Sequence, residues 1–216
     1  MKCSKKFVKP EDVGAVFVPQ ANRVEIGGGL IQFPIFQANR PPALNYGGLG
    51  TLIGHEIAHA FDDDGTQYNE NGKKYTKPFW SNDDLMKAYS SLKECFIKDF
   101  SSIIVPGSNI ELNATKILFE TIADLTGLKA AHEALLKTEQ SEQKVIRLNQ
   151  LSQFGSEQLF FISWAQNWCE ITDPNDYSSD YKYLPAKYRV ERILANYPSF
   201  ANAFKCKPNK NPCRIW

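Results

Sequence analysis

The chain has 216 residues, with 25 basic and 24 acidic side chains and a formal net charge of +1. This balance argues against binding to nucleic acid or to a membrane surface through bulk charge. Hydrophobic residues make up 43% of the sequence, enough for a sizeable core, but no apolar run approaches the ~20 residues of a membrane span. The basic start, residues 1–6, leads to no apolar stretch, so no signal peptide is expected. We therefore expect one domain over residues 1–216.

The first third of the chain predicts a small β region followed by a helix. Residues 13–19 and 24–26 are short β-rich runs around a polar turn, a pattern that predicts a β-hairpin. Pro41-Pro42 is expected to interrupt regular structure, and Asn45 to cap the helix that follows. That helix is predicted over 49–61 and is apolar on most of its surface, so we expect it to be buried.

The rest of the chain predicts a mainly α fold. Further helices are expected at 83–100, 116–136, 148–168, after Leu184-Pro185 and around 200–204. The aromatic residues of 148–168 are interpreted as core packing, and 137–146 as an exposed loop. No internal repeat or low-complexity linker divides the chain.

The predicted helix 49–61 carries a complete HExxH motif, His55-Glu56-Ile57-Ala58-His59. Residues four apart lie on the same face of a helix, so His55 and His59 can bind one cation. Zinc accepts imidazole nitrogens, and a carboxylate beside the first histidine, Glu56, can take a proton from water. The alternative is an ordinary helix with two solvated histidines. Asp62-Asp63-Asp64, at the end of the helix, is interpreted as a solvated turn.

The helix predicted over 116–136 offers a third ligand. Glu120 and Asp124 are four residues apart on a largely apolar helix, so they share a face. We interpret Glu120 as a zinc ligand and Asp124 as the acceptor for the free N–H of a zinc-bound histidine. The alternative is two surface carboxylates that pair with lysines. His132, several turns beyond Glu120, is assigned no role.

These motifs resemble those of the neprilysin and endothelin-converting-enzyme family of zinc metallopeptidases, along nearly the whole chain. The residues that carry the resemblance are Ala43-Leu44-Asn45-Tyr46-Gly47-Gly48, Gly54 through Asp63, Glu120-Thr121-Ile122-Ala123-Asp124, Gln158-Leu159-Phe160-Phe161 and Cys213-Arg214-Ile215-Trp216. The resemblance implies a thermolysin-like zincin (gluzincin) catalytic domain. Because family members are several times longer, it also implies that the chain corresponds to their C-terminal catalytic portion, without the N-terminal lid region.

Carried over by position, the resemblance implies roles for the charged residues. It identifies His55, His59 and Glu120 as ligands of one zinc ion, Glu56 as the base that activates water, and Asp124 as the carboxylate on a zinc histidine. The zinc ion would polarise the scissile carbonyl and lower the pKa of a water molecule. Oligopeptides are the expected substrates.

Three further positions are expected to contact the substrate. Arg189 resembles the arginine that engages the substrate backbone. Tyr183 stands where the family has an oxyanion-binding histidine, and a tyrosine hydroxyl can still donate a hydrogen bond. Ala15 lies in the position of a substrate-binding strand, but the family's preceding asparagine is replaced by Gly14. These changes favour the rival hypothesis of a catalytically impaired zinc-binding remnant or peptide-binding module.

The cysteine count alone leaves the compartment open. Five cysteines, none in a CxxC pair, are compatible with reduced thiols or with an incomplete secreted disulfide set. The resemblance implies an extracellular or cell-surface ectodomain with a disulfide between Cys95 and Cys213. It also implies that Cys169 and Cys206 pair with an N-terminal region absent from this chain, and it offers no counterpart for Cys3.

Overall fold

The computed structural model describes residues 8–76, 83–101, 103–105, 107–142, 148–171, 173 and 182–215. It is mainly helical with one small sheet, which confirms the predicted fold class. Its strands are β1 (Ala15–Val18) and β2 (Arg23–Ile26). Its α-helices are α1 (Pro42–Asn45), α2 (Thr51–Ala58), α3 (Asp83–Phe100), α4 (Ala114–Glu142), α5 (Ser156–Gln166), α6 (Ala186–Ala195) and α7 (Pro198–Phe204). Cys3 and Trp216 lie outside the described residues.

The predicted β-hairpin is confirmed. Strands β1 and β2 pair antiparallel, with Ala15 opposite Ile26 and Val18 opposite Arg23. The turn between them is a short 3-10 segment, Pro19–Ala21, followed by Asn22, whose φ of 44° lies in the left-handed region. Asparagine tolerates this conformation better than most residues, so a polar Asn in the turn suits the hairpin.

The HExxH helix begins earlier than predicted. Helix α1 starts at Pro42 and continues through a π-helical turn, Tyr46–Gly50, into α2 and a final 3-10 turn, His59–Phe61. The expectation that Pro41-Pro42 interrupts regular structure is therefore wrong. Proline suits the first helical turn, where its missing N–H would have no intrahelical partner.

Asn45 is not the helix cap that the sequence predicted. Its side chain accepts a hydrogen bond from the backbone N–H of Gln37 and donates one to the Gln37 carbonyl. It also accepts from Arg40 Nε at 2.6 Å. Asn45 therefore fastens the preceding connector to the helix.

Helix α4 runs through the centre of the hydrophobic core. Fully buried residues of α4 pack with aromatic residues of α3 and α5; the largest are Ile117, Leu125, Leu128, Leu135, Phe96, Phe100, Phe160, Phe161 and Trp164. The interpretation of the α5 aromatics as core residues is thus confirmed. Helix α5 itself is shorter than the predicted 148–168, since a separate 3-10 turn occupies Asn149–Leu151.

Helix α4 is longer than predicted. It continues to Glu142, so the predicted loop is wrong over 137–142, and 143–147 lie outside the described residues. The segment is polar, but its lysine, glutamate and glutamine residues have high helix propensity and are also common at exposed positions. Polarity alone therefore does not distinguish an exposed loop from an exposed helix end.

The carboxyl-terminal segment is tied to α3 by a disulfide. The Cys95 and Cys213 Cα atoms are 5.7 Å apart and the pair is bonded, the pairing that the resemblance implies. Cys169 and Cys206 are unpaired and exposed within the described part of the chain. None of the helices described there is long and apolar enough to cross a membrane.

Candidate active site

Two glycines bring α2 and α4 into close contact. A Cβ atom on Gly54 would lie 2.8 Å from the Gly127 Cα atom. A Cβ atom on Gly127 would lie 2.5 Å from the backbone nitrogen of His55 and 2.6 Å from the Thr51 carbonyl oxygen. These separations are too short for non-bonded atoms, so a side chain at either position would force the helices apart. The close crossing lets the α2 histidines face the α4 carboxylates.

The three predicted ligands converge at this crossing. His55 Nε2 lies 3.1 Å from His59 Nε2 and 3.2 Å from Glu120 Oε2, and His59 Nε2 lies 3.8 Å from the same oxygen. Ligand atoms about 2.0–2.1 Å from a tetrahedral zinc ion are roughly 3.3–3.4 Å apart. The two nitrogens and one oxygen therefore fit a single zinc ion.

Glu120 gives a second reason to place a cation here. Its Oε2 atom is buried and has no hydrogen-bond partner among the described residues. Buried polar atoms are normally hydrogen-bonded, and an unpaired carboxylate oxygen is costly. A metal ion bound by Glu120, His55 and His59 would remove that cost.

Each of the two histidines contacts a carboxylate through its Nδ1 atom. His55 Nδ1 lies 2.8 Å from Asp124 Oδ1, and His59 Nδ1 lies 2.8 Å from Asp62 Oδ2. Such bonds keep the proton on Nδ1 and direct Nε2 to the ion. The contact to Asp124 is the one that the sequence predicts.

Asp62 is a site residue that the sequence analysis missed. Its Oδ1 atom accepts backbone N–H groups of Asp64 and Gly65, while Oδ2 contacts His59. The interpretation of this residue as part of a solvated turn is wrong. The available signal was its position three residues after His59, which places both on one face of the helical end.

Asp124 also holds a buried arginine. Arg189 Nε and Nη2 donate to its two carboxylate oxygens at 2.5 and 2.7 Å. The guanidinium carbon lies 3.6 Å from the centroid of the Trp168 ring, at stacking distance. Arg189 is therefore held by Asp124 along one edge of the guanidinium group and by the Trp168 ring on one face. Its Nη1 atom makes no hydrogen bond within the described part of the chain.

Charge interactions at the site outweigh the effect of burial. Burial alone would raise the pKa of Asp124, but the charge of Arg189 and the bond to His55 hold it below its usual value. Burial likewise opposes protonation of His55, yet Asp124 and Glu120 raise the pKa of His55 to about 9. The carboxylates therefore favour positive charge at His55, whether from a proton or from a metal ion.

Glu56 belongs to α2, and its side chain contacts the hairpin. Burial raises the pKa of Glu56, while the positive charge of His55 and His59 and the backbone N–H of Phe17 oppose that shift. A carboxylate with a raised pKa is better suited to take up and release a proton near neutral pH. Glu56 therefore lies beside the cluster of predicted ligands and also contacts β1 through the backbone N–H of Phe17.

The outer edge of β1 faces away from β2. The backbone N–H of Gly27 donates to the Gly14 carbonyl at 2.8 Å. In an antiparallel pair such bonded positions alternate with unbonded ones, so the backbone groups of Ala15 and Phe17 point outward. Because the outward N–H of Phe17 contacts Glu56, this edge of β1 lies beside the candidate site.

Tyr183 reaches the site from the segment before α6. Its ring centroid lies 5.3 Å from the Arg189 guanidinium carbon, and the residue is 41% exposed. Burial and the negative charge of Glu120 raise the pKa of Tyr183, so its phenol stays protonated. The structure therefore brings Tyr183 and Arg189 close to the cluster of His55, Glu56, His59, Glu120 and Asp124, while Ala15 is linked to it only through Phe17 of the same strand.

An HExxH helix joined by a glutamate from a second helix defines the gluzincin class of zinc metallopeptidases. The sequence profile of Peptidase family M13 matches residues 14–213. The chain belongs to that family.

Relatives agree with this assignment. Neprilysin-11 of Caenorhabditis elegans is 34% identical over 97% of this chain and 25% of its own length. Endothelin-converting enzyme 1 of Mus musculus is 34% identical over 96% of this chain and 27% of its own. The chain thus spans about a quarter of the length of the curated relatives that it matches.

Solved structures share the fold. A structure titled Haemonchus galactose containing glycoprotein complex superimposes with a TM-score of 0.81 at 28% identity, over 96% of this chain and 33% of that one. The Mycobacterium tuberculosis zinc metalloprotease ZMP1 in complex with inhibitor gives a TM-score of 0.86 at 23% identity, over 100% and 34%.

Proposed function

We propose that this chain carries the active site of a zinc-dependent endopeptidase that hydrolyses oligopeptides. The observation that carries the proposal is the convergence of His55 Nε2, His59 Nε2 and the unpaired Glu120 Oε2. Two imidazoles and one carboxylate leave an open position on a four-coordinate zinc ion, as catalytic sites require.

His55, His59 and Glu120 would hold one zinc ion, which supplies a Lewis acid for the peptide carbonyl and lowers the pKa of water. Glu56, beside the first ligand, accepts the proton of the attacking water and passes it to the leaving amine. Asp124 keeps His55 in the tautomer that binds metal and neutralises Arg189.

Substrate binding uses the open side of the site. The outward backbone groups of Ala15 can pair with an extended peptide, since a free strand edge accepts another strand. Arg189 Nη1 and the protonated Tyr183 hydroxyl provide hydrogen-bond donors for the peptide backbone and for the developing oxyanion.

We further propose that residues 1–216 act as one catalytic domain at the cell surface or outside the cell. The Cys95–Cys213 disulfide supports an oxidising compartment. The exposed thiols of Cys169 and Cys206 are proposed to pair with a region outside this chain.

The test measures zinc content and cleavage of a fluorogenic peptide side by side. We expect one zinc ion per chain and chelator-sensitive cleavage. Glu56→Gln should keep the zinc ion and lose about 10²–10⁴-fold in kcat, the range for a general base. Glu70→Gln, on an exposed turn, is the matched control and should change neither. Absence of zinc binding in the parent chain would refute the proposal.

A zinc-binding module with impaired catalysis is the second candidate. It is favoured by Tyr183 in the oxyanion position and by Gly14 in place of the family's asparagine. Tyr183→Phe distinguishes the two: loss of one oxyanion donor lowers kcat by about 10²–10³-fold in an active enzyme. Stoichiometric zinc without any cleavage, and no effect of that substitution, would support the module.

A further inference from the structure

The tripeptide Asn113-Ala114-Thr115 has no part in the proposed active site. It is the only Asn-x-Ser/Thr sequence in the 216 residues, and its middle residue is not proline. Such tripeptides are acceptors for N-linked oligosaccharides, which secreted proteins carry on asparagine side chains at the surface. Because so short a motif is common by chance, its place in the fold decides whether it can serve.

The tripeptide follows a short antiparallel ribbon, which we define as residues 103–105 and 110–112. Two backbone hydrogen bonds of 2.9 Å join its strands, one on each side of the pair Ile104 and Glu111. Ile104 is 54% exposed, and Glu111 is exposed as well. The residues between them along the strands are at most 4% exposed: Ile103, Val105 and Leu112. The ribbon therefore has a buried inner face and an exposed outer face.

Asn113 continues the outer face of the ribbon. It stands two residues after Glu111, and side chains two apart in an extended segment point to the same side. Asn113 and Thr115 are both exposed. In a regular ribbon Asn113 is the diagonal neighbour of Ile104, at roughly 7–8 Å. The acceptor asparagine thus lies at the surface, beside an exposed apolar side chain.

The side chain of Asn113 also caps helix α4. Its Oδ1 atom accepts the backbone N–H of Thr115 at 3.0 Å and that of Lys116 at 3.4 Å. Its Nδ2 atom makes no hydrogen bond to any other described residue. An oligosaccharide is attached at Nδ2 and leaves Oδ1 as an acceptor. The helix cap and the modification are therefore compatible.

We propose that Asn113 is an N-glycosylation site whose oligosaccharide lies over the outer face of the ribbon and covers Ile104. In the modification, Nδ2 loses one proton and bonds to the anomeric carbon of a lipid-pyrophosphate-linked oligosaccharide, and the lipid pyrophosphate departs. The proposal rests on the extracellular location proposed above, which the Cys95–Cys213 disulfide supports. It depends on neither zinc binding nor peptide cleavage.

Mass spectrometry of the secreted chain provides the first test. The chain 1–216 is produced in eukaryotic cells behind a cleavable secretory leader and treated with peptide N-glycosidase in ¹⁸O-labelled water. We expect a loss of mass on treatment, with aspartate carrying ¹⁸O at position 113. The same chain produced without the leader should show neither change. Protein retained inside the secretory pathway is read in the same way, so poor export does not prevent the test.

Three substitutions assign the site. Asn113→Asp removes the acceptor amide and keeps an oxygen that can cap α4, so the variant should fold and carry no oligosaccharide. Thr115→Ala should also abolish the modification, although it leaves the asparagine in place. Thr115→Ser keeps the hydroxyl group that the acceptor motif requires and should remain modified.

Thermal unfolding tests the position of the oligosaccharide. Enzymatic removal from the folded parent chain should lower its Tm by about 2–4 °C, because the side chain of Ile104 returns to water. In Ile104→Ser the same treatment should have a clearly smaller effect. Equal shifts in the two proteins would overturn the placement over the ribbon.

Two results would overturn the glycosylation site itself. The first is a chain with the leader that has formed the Cys95–Cys213 disulfide but carries no oligosaccharide, since that disulfide shows passage through an oxidising compartment. The second is an oligosaccharide that persists in Asn113→Asp. Zinc content and peptide cleavage are measured on the same samples. A glycosylated chain that binds no zinc would refute the catalytic proposal alone.

Discussion

The α2–α4 crossing and the β-hairpin both contact helix α2, and they differ in how deeply their residues are buried. At the crossing, Asp124 and Arg189 are 4% and 7% exposed and hold each other through two hydrogen bonds. At the hairpin, every strand residue except Val18 is only partly buried, and the flanking residues Val13 and Phe33 are more than 70% exposed.

The difference shows which part of the proposed site is fixed by contacts within this chain. The proposed metal ligands are side chains of two helices that cross within the chain, and their hydrogen-bond partners hold them in place. The proposed peptide-binding residue Ala15 lies instead on a strand edge, whose backbone groups can pair with an added strand. We expect substitutions at the crossing to act in the isolated chain.

Removing the third ligand should have the largest effect. Glu120→Gln is expected to weaken zinc binding by more than the 10–100-fold typical of losing an outer hydrogen-bond partner. In metal-free protein the same change should lower the Tm modestly at neutral pH, because Glu120 stabilises the charged form of His55. Competition with a chelator measures the first effect and thermal unfolding the second. Glu133→Gln, on an exposed position of the same helix, is the control; a large fall in metal-free stability would contradict the assignment.

Breaking the Asp124–Arg189 pair should destabilise the fold even without metal. Asp124→Asn leaves the buried Arg189 charge without its counter-ion, which typically costs about 3–5 kcal/mol of unfolding free energy. Denaturant unfolding of the metal-free chain measures it. Asp63→Asn, in the partly exposed pair with Lys93, should cost less than about 1 kcal/mol. Equal effects of the two substitutions would mean that the buried pair has no special importance.

Widening the helix crossing should have an intermediate effect. Gly127→Ala places a Cβ atom 2.5 Å from the His55 nitrogen, so the backbones must separate. Overpacking of this kind costs roughly 1–3 kcal/mol, and zinc affinity should fall because His55 moves away from Glu120. Gly50→Ala, whose Cβ would meet its nearest neighbour at 3.5 Å, is the matched control and should be neutral or slightly stabilising. Unchanged zinc affinity in Gly127→Ala would argue against the role of the crossing.

The smallest effect concerns pH and a histidine outside the metal site. His132 is 1% exposed; its Nδ1 lies 2.8 Å from the Tyr197 hydroxyl and its Nε2 3.1 Å from Glu157 Oε2, an arrangement that suits neutral imidazole. Burial lowers the pKa of His132, although Glu157, Glu133 and Glu139 oppose that shift.

Below about pH 6.5 the His132 imidazole is therefore protonated in the unfolded chain but stays neutral to lower pH in the folded chain. Stability should fall as pH falls, with a slope of at most about 1.4 kcal/mol per pH unit from this group. The slope is taken as the difference between the parent chain and His132→Phe at each pH, so that contributions from other titrating groups cancel. Identical slopes in the two proteins would refute the prediction.

Much of the fold followed from local patterns. The hairpin and α3 could be predicted because alternation and helical periodicity are properties of neighbouring residues. The helix ends were predicted less well. Pro42 begins a helix and the polar residues after Leu136 continue one, since proline suits a first turn and lysine and glutamate favour helices as well as loops.

By itself, the sequence determined which reactive side chains are available: two histidines one helical turn apart, a glutamate beside the first, and one pair of carboxylates, Glu120 and Asp124, with the same spacing. A spacing of four residues is enough to place two side chains on one face of a helix, because helix geometry depends only on neighbouring residues. Only the tertiary structure decided that Asp62 contacts His59, that Gly54 and Gly127 allow the helices to cross closely, and that Ile57 and Phe61 remain exposed. Those facts depend on contacts between distant parts of the chain, and on surfaces it leaves uncovered, which spacing along the sequence does not encode.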